Sequence, residues 1–102
     1  MAEERMLTEI EDETLAASEG DYVDIPVILK VLRSWHRRAI ASKTIDRAFH
    51  RLVELGLVKV YTYSRRTRRY TRVESSRPNS KKLYYRASRN GEEYLARTKL
   101  GT

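Results

Sequence analysis

The stretch SKTIDRAFHRLVELGLVKV, from Ser42 to Val60, decides the fold because its apolar period changes within it. Up to Gly56, apolar residues recur every three or four positions, which predicts an amphipathic helix over residues 42–55 that the glycine ends. After Gly56, Val58 and Val60 alternate with polar or aromatic residues, as a half-buried strand requires. The sequence therefore predicts a helix that runs directly into a strand. The predicted inward residues of this helix are Ile45, Ala48, Phe49 and Leu52.

Two further helices are predicted before this segment. Thr8 followed by Glu11 is a capping-box pattern, and a thin apolar stripe supports a helix over residues 8–18. Asp24 is the predicted cap of a second helix, which tolerates Pro26 because the proline lies in the first turn. The predicted apolar face of this second helix comprises Ile25, Ile28, Val31, Leu32 and Trp35.

A basic connector and a second strand follow the first strand. Residues 64–81 contain seven basic residues and a single acid, so we expect this connector to be a solvated loop. Residues 82–87 alternate again and predict a strand that pairs antiparallel with the first. Ser88 is the predicted cap of a last helix over residues 89–99. The predicted inward residues of that helix are Tyr94 and Leu95.

The charge of the 102-residue chain is divided between two regions. Residues 1–24 hold nine acids and one base, a net charge of −8, whereas residues 25–102 hold 20 bases and five acids, a net charge of +15. Such a density of positive charge attracts polyanions. The length is that of one domain, so we expect a single α+β domain over residues 1–102 that begins with an acidic helix within residues 1–20.

Several classes of function find no support in the sequence. The chain has no cysteine, which excludes disulfides, thiolate zinc sites and a cysteine nucleophile. Its two histidines form no recognisable metal set, and neither a glycine-rich phosphate loop nor a nucleophile–base pair is present. We therefore expect no enzyme, no metal and no other cofactor. Met1 is followed by Ala2, Glu3 and Glu4 and not by the basic and apolar residues of a secretory signal, and no apolar run approaches ~20 residues. We therefore expect a cytoplasmic protein without a membrane partner.

The order helix, helix, helix, strand, basic connector, strand, helix resembles that of winged helix-turn-helix DNA-binding proteins. The stretch from Ser42 to Val60 is similar to the recognition helix and its exit into the wing in MarR-like and PadR-like transcriptional regulators, where a Thr-Ile pair and Leu-x-x-x-Gly-Leu-Val recur. The stretch LYYRASRNGEEYL, from Leu83 to Leu95, is similar to the segment that closes that wing, although Ala87-Ser88 stands where Leu-Thr is usual. The resemblance implies three N-terminal helices, a two-stranded antiparallel wing with a long basic loop, and one C-terminal helix.

The resemblance also implies that residues 42–55 enter the major groove of DNA, into which a helix about 10 Å across fits. Arg47 is then expected to fork onto a guanine. Ser42 is the predicted helix cap, and with Lys43 it is expected to bind phosphate at the positive end of the helix. For His50, contact with DNA and simple solvation near Asp46 both stay open. The predicted contacts on this helix are Ser42, Lys43, Thr44, Arg47, His50 and Arg51.

Other basic residues are predicted to hold the phosphate backbone and the minor groove. The outward ridge of the second helix and the residues after it would flank the backbone without reading sequence. These are Lys30, Arg33, Arg37 and Arg38. The arginines of the connector suit a narrow minor groove, where the negative potential is enhanced. The predicted wing contacts are Arg65, Arg66, Arg68, Arg69, Arg72, Arg77, Lys81 and the tyrosines Tyr63 and Tyr70.

The partner that we expect is double-stranded DNA, bound in a sequence-specific manner by a homodimeric transcriptional regulator. The first and last helices are the candidate dimer surfaces. Two alternatives stay open. One is an RNA-binding or ribosome-binding winged helix, because arginine-rich loops also bind RNA. The other is a DNA-binding adaptor in plasmid partition or nucleoprotein assembly, in which the acidic N-terminus recruits a protein partner.

Overall fold

The computed structural model describes residues 7–36, 39–73 and 82–100. Within these residues the fold is α+β, with four helices and a three-stranded antiparallel sheet. The helices are α1 (Glu9–Ala17), α2 (Ile25–His36), α3 (Ser42–Glu54) and α4 (Arg89–Leu100), and the strands are β1 (Val58–Ser64), β2 (Arg69–Val73) and β3 (Tyr84–Ala87). None of these helices has the length and apolar character that crossing a lipid bilayer requires.

The first two helices begin at the predicted caps. The Thr8 hydroxyl oxygen accepts the Glu11 N–H at 3.2 Å, and the Glu11 carboxylate accepts the Thr8 N–H at 2.9 Å, which completes the capping box of α1. At the start of α2, Asp24 Oδ1 accepts the Val27 N–H at 2.9 Å. Both predicted caps are confirmed.

The start of α3 differs from the prediction. The N-cap is Ala41, which makes no side-chain cap hydrogen bond, and Ser42 is the first helical residue. The prediction that Ser42 caps the helix was therefore wrong by one position. Ile40 and Ile45 flank the boundary at the two positions of a hydrophobic staple, and both are buried in the core. Apolar packing, not a side-chain oxygen, fixes where this helix begins.

The end of α3 follows the prediction for Gly56. This residue has φ +77°, the left-handed conformation that a glycine adopts without steric penalty. The Gly56 N–H donates to the Val53 carbonyl at 3.0 Å, and the Leu57 N–H donates to the Leu52 carbonyl at 2.9 Å. These two bonds form a Schellman motif, which satisfies the last carbonyls of the helix and turns the chain into β1.

The strands lie in the order β2-β1-β3, and both pairings are antiparallel. The pairing of β1 with β3, in which Val58 lies opposite Ala87 and Tyr61 opposite Tyr84, confirms the predicted ribbon. The α1–α2 connection also reaches the sheet. Val23 and Tyr85 exchange two backbone hydrogen bonds, of 2.8 and 2.7 Å, at the other edge of β3.

The predicted count of two strands was wrong, because residues 69–73 of the expected loop form the strand β2. A four-residue turn, 65–68, reverses the chain, so that Ser64 lies opposite Arg69. Arg68 in this turn has φ +55°, and the Ser64 hydroxyl oxygen accepts the Thr67 N–H at 3.3 Å. Three of the five residues of β2 favour strands. The two arginines of β2 stay exposed, so their charges do not prevent the strand from forming. These β-forming residues are Tyr70, Thr71 and Val73. The rest of the expected loop, residues 74–81, lies outside the described residues.

The core lies between the inner face of the sheet and the first three helices. All four predicted inward residues of α3 are buried, and the Phe49 ring stacks on Tyr85 with centroids 4.0 Å apart. Burial raises the pKa of Tyr85 to about 12. Trp35 was expected on the apolar face of α2, but it is 52% exposed. It lies nearly one turn beyond Leu32, which is fully buried, and helical period does not indicate how far along a helix the core extends.

The link between β3 and α4 fastens the sheet to the last helix. Ser88 Oγ accepts the Gly91 N–H at 3.1 Å and donates to the Gly56 carbonyl at 2.7 Å, which confirms the predicted cap. Gly91 is itself buried against the chain that enters β1, and a Cβ atom at this position would collide with the carbonyl oxygen of Leu57. In α4, Leu95 is buried and Tyr94 is half-buried, as predicted.

Candidate nucleic-acid interface

One side of α3 is buried and the other is cationic. The buried side packs on the core, and the opposite line of the helix carries Lys43, Arg47 and His50, all exposed. His50 Nε2 lies 3.6 Å from the Glu54 carboxylate one turn later. Lys43 in the first turn and Arg47 in the middle of the helix therefore share an exposed line with a histidine–glutamate contact near its end. Of the contacts predicted on this helix, all are exposed: Ser42, Lys43, Thr44, Arg47, His50 and Arg51.

Arg51 has a partner that the sequence did not predict. Its Nε lies 3.4 Å from Oε2 of Glu11, and the Arg51 side chain is 45% exposed. The Glu11 residue is only 8% exposed, and its other carboxylate oxygen holds the Thr8 N–H of the capping box. Arg51 therefore connects α3 to α1. Beside this pair runs a shallow groove lined by Thr8, Ile10, Glu11, Thr44, Arg47, Ala48 and Arg51.

The β1–β2 hairpin, residues 58–73, extends beyond β3. β3 pairs with β1 only as far as Tyr61, whereas β2 continues the pairing to Ser64. The outer part of the hairpin is therefore a two-stranded ribbon that ends in the turn at residues 65–68. The whole β1–β2 hairpin carries five exposed arginines, and within the described chain no acid lies at ion-pair distance from any of them. They are Arg65, Arg66, Arg68, Arg69 and Arg72.

The remaining predicted contacts divide into two groups. Lys30 and Arg33 are exposed on α2, on the side away from the fully buried Ile28 and Leu32. The others lie outside the described residues, so that their predicted roles stay predictions. These are Arg37, Arg38, Arg77 and Lys81.

The outer face of the sheet carries a group of tyrosines, which we call the tyrosine surface: Tyr22, Tyr61, Tyr63, Tyr70 and Tyr84. Tyr22 stacks on Tyr70 with ring centroids 3.8 Å apart and an interplanar angle of 4°, and it meets the Tyr61 ring edge-on at 4.8 Å. Tyr70 also lies 4.8 Å from Tyr63 and 5.3 Å from Tyr84. Only Tyr63 and Tyr70 of this group were predicted from the sequence. The alternation of Tyr61 and Tyr63 in β1 was an available signal for Tyr61, whereas Tyr22 and Tyr84 join the group through packing and strand register.

Cations border the tyrosine surface. The Arg86 guanidinium carbon lies 5.0 Å from the Tyr22 ring centroid, and Lys82 Nζ lies 5.6 Å from that of Tyr84. Lys82 Nζ also lies 2.8 Å from Asp24 Oδ2, and this hydrogen bond raises the pKa of Lys82. The pKa of Tyr70 is raised, mainly because its ring is partly buried and also because other tyrosines lie close to it. The surface therefore combines neutral rings with positive side chains.

No group of three histidine, aspartate or glutamate side chains in the described chain is placed to hold a metal ion. No protein-family model matches this chain, and a comparison with curated proteins gives no match either.

Proposed function

We propose that the protein is a winged helix-turn-helix protein that binds double-stranded DNA, with α3 as the recognition helix and the β1–β2 hairpin as the wing. The observation that carries this proposal is the junction at Leu55 and Gly56. Through this junction, a helix with an exposed cationic side runs directly into a hairpin with an arginine-rich tip. Both cationic elements are thereby attached to the same core.

The exposed line of α3 has the dimensions and the chemistry for major-groove contact. The groove is about 12 Å wide and admits one helix. Arg47 lies in the middle of this line, and its guanidinium can donate two parallel hydrogen bonds to O6 and N7 of a guanine. Lys43 lies in the first turn, where the exposed N–H groups of the helix also favour a phosphate. Ala41 has no capping side chain that would compete for these N–H groups.

The hairpin supplies charge rather than sequence recognition. Its five arginines are exposed, and the stretch from Ser64 to Val73 contains no acid. Each phosphate that such a residue neutralises releases counterions, so affinity falls as salt rises. A narrow minor groove next to the helix-binding groove would attract the same side chains.

Within this proposal, the active form is a homodimeric transcriptional regulator. Two recognition helices related by a two-fold axis reach successive major grooves, so half-sites about 10 base pairs apart are expected. The candidate dimer surfaces remain α1 and α4.

Selection of bound duplexes from a random pool tests the proposal. Enrichment of an inverted repeat by the intact protein, and a relaxed preference at one base pair of each half-site with Arg47→Ala, would support sequence-specific binding to DNA. A parallel competition with structured RNA at matched salt completes the test. Stronger retention on the RNA, with no duplex enriched, would contradict the proposal and favour an RNA-binding role.

A further inference from the structure

We propose that the tyrosine surface is a second nucleic-acid site, which binds the unpaired bases of a single-stranded nucleic acid. This inference goes beyond duplex binding by α3, because it concerns the other side of the sheet. Successive side chains of a strand point to opposite faces. Tyr85 faces inward and stacks on Phe49 of α3, so Tyr84 faces outward.

The two most exposed rings are held in place by their neighbours. Tyr63 and Tyr70 lie directly opposite each other on β1 and β2 and are 38% and 37% exposed. The stack with Tyr22 fixes Tyr70 from one side. Because the rings are already ordered by the sheet, binding of a ligand costs little side-chain freedom. Every base has a π face, so stacking on such rings tolerates any sequence.

A groove beside these rings offers room for a backbone phosphate. It runs along the end of β1, where β3 no longer pairs, and it is lined by Thr62, Tyr63, Ser64, Arg65, Lys82 and Tyr84. Tyr63 and Tyr84 present rings whose centroids are 6.3 Å apart. Arg65 adds a positive charge to the lining of the groove, and Lys82 adds a second one that is paired with Asp24. Aromatic rings with cations beside them are the combination that single-strand binders use.

The charge around the surface favours a polyanion over a protein partner. Arg72 lies opposite Tyr61 on β2, and Arg86 lies opposite Lys59 on β3, so cations border the rings on both sides. Two acids are also near: Asp24 is paired with Lys82, and Asp21 lies near Tyr70. The cations still outnumber the acids. The side of an antiparallel sheet that faces water usually carries polar residues. This face instead has tyrosines on all three strands.

Binding of labelled oligonucleotides tests the inference. Oligo-dT and oligo-rU of roughly 15 nucleotides, together with a duplex of the same length, are titrated with the intact protein in fluorescence anisotropy. The double variant Tyr63→Leu/Tyr70→Leu should bind single strands at least about tenfold more weakly, and this loss should be several times larger than any loss of duplex affinity. The matched control, Tyr63→Phe/Tyr70→Phe, keeps the rings and should retain single-strand affinity. Circular dichroism checks that both variants are folded.

Arg47→Ala separates this inference from the proposed function, because it should weaken duplex binding and leave single-strand binding intact. The expected pattern with either oligonucleotide supports the inference and identifies the preferred sugar. Equal single-strand affinity in the Leu and Phe variants would overturn it, as would failure of the intact protein to bind either oligonucleotide. A parallel weakening of single-strand and duplex binding on Arg47→Ala would assign both ligands to α3 and also overturn it.

Discussion

Arg51 of α3 and Glu11 of α1 form an ion pair, with Nε of the arginine 3.4 Å from Oε2 of the glutamate. The pair connects the most acidic part of the chain to the helix proposed to read DNA. Glu11 is nearly buried, and its other carboxylate oxygen accepts the Thr8 N–H. Arg51 therefore compensates a charge that is largely shielded from water. This role is structural, and it is separate from the DNA contact predicted for Arg51.

Arg51→Ala should lower the free energy of unfolding by about 1 to 3 kcal/mol, because it leaves the Glu11 carboxylate without its cation. Urea denaturation followed by circular dichroism measures the change. Arg47→Ala is the matched control, since it removes the same charge from an exposed position of the same helix and should alter stability by less than about 0.5 kcal/mol. Equal stability of the two variants would show that the ion pair contributes nothing.

Arg47→Ala should weaken binding to the preferred duplex by about 1 to 3 kcal/mol and relax the preference at one base pair. The reason is the removal of a two-pronged hydrogen bond to a single guanine. Affinities for the selected site and its single-base variants provide the measurement. Arg97→Ala removes the same charge from α4, away from the exposed line of α3, and should leave the preference at that base pair unchanged. An equally large effect on random duplexes would reduce Arg47 to a residue that binds phosphate.

Replacement of Arg65, Arg66, Arg68 and Arg69 by alanine should weaken binding to every duplex and flatten the dependence of affinity on salt. For each phosphate that is no longer neutralised, the slope of log K against log salt becomes shallower by about 0.9. Titrations at several salt concentrations give this slope. The corresponding lysine variants keep the charge and should keep most of the slope. An unchanged slope in the alanine variant would place the hairpin away from the DNA.

Gly91→Ala should destabilise the protein by about 1 to 3 kcal/mol, even though alanine is the better helix former. The added methyl group would collide with the Leu57 carbonyl oxygen, which cannot move without shifting the start of β1. Asn90→Ala changes the exposed residue next to it and is the control. Thermal or urea unfolding compares the two, and a stabilised Gly91→Ala variant would contradict the close packing of α4.

Asp24 should make the protein sensitive to acid. Although burial opposes the effect, the hydrogen bonds from Lys82 and from the Val27 N–H lower the pKa of Asp24 below its ordinary value of 3.8. Its contribution to stability is therefore fully present above pH 3.8 and is lost as pH falls through the lower pKa of the folded state.

Unfolding free energies measured between about pH 5 and pH 2 test this dependence. Asp24→Asn should remove it, and Lys82→Met should remove a part of it, because the lysine is one of several donors that hold the carboxylate charged. A wild-type protein that loses no more stability in acid than Asp24→Asn would contradict the expectation.

Local patterns were sufficient for most of the fold. Three of the confirmed features involve residues within a few positions of one another, so they can be recognised directly in the sequence. They are the capping box at Thr8, the helix end at Gly56 and the cap at Ser88. The amphipathic period of α3 likewise predicted its buried side and hence its exposed one.

Features that depend on distant residues were missed. β2 forms because a four-residue turn brings an arginine-rich segment back along β1. This segment has no alternation of apolar residues that would predict a strand. The ion pair of Arg51 joins two helices, and the tyrosine surface gathers rings from the α1–α2 connection and all three strands. Such associations follow from strand register and helix packing, which period alone does not specify.

The strand β2 lies at the end of the order β2-β1-β3, so within the described chain its outer backbone groups face no further strand. Open edges of this kind invite pairing with another molecule and lead to aggregation. Here Arg69 and Arg72 lie on the edge strand itself, next to the charged turn. A second copy that approached in register would bring like charges face to face. We therefore expect that the arginines that attract a polyanion to the hairpin also oppose edge-to-edge pairing of this strand between two copies.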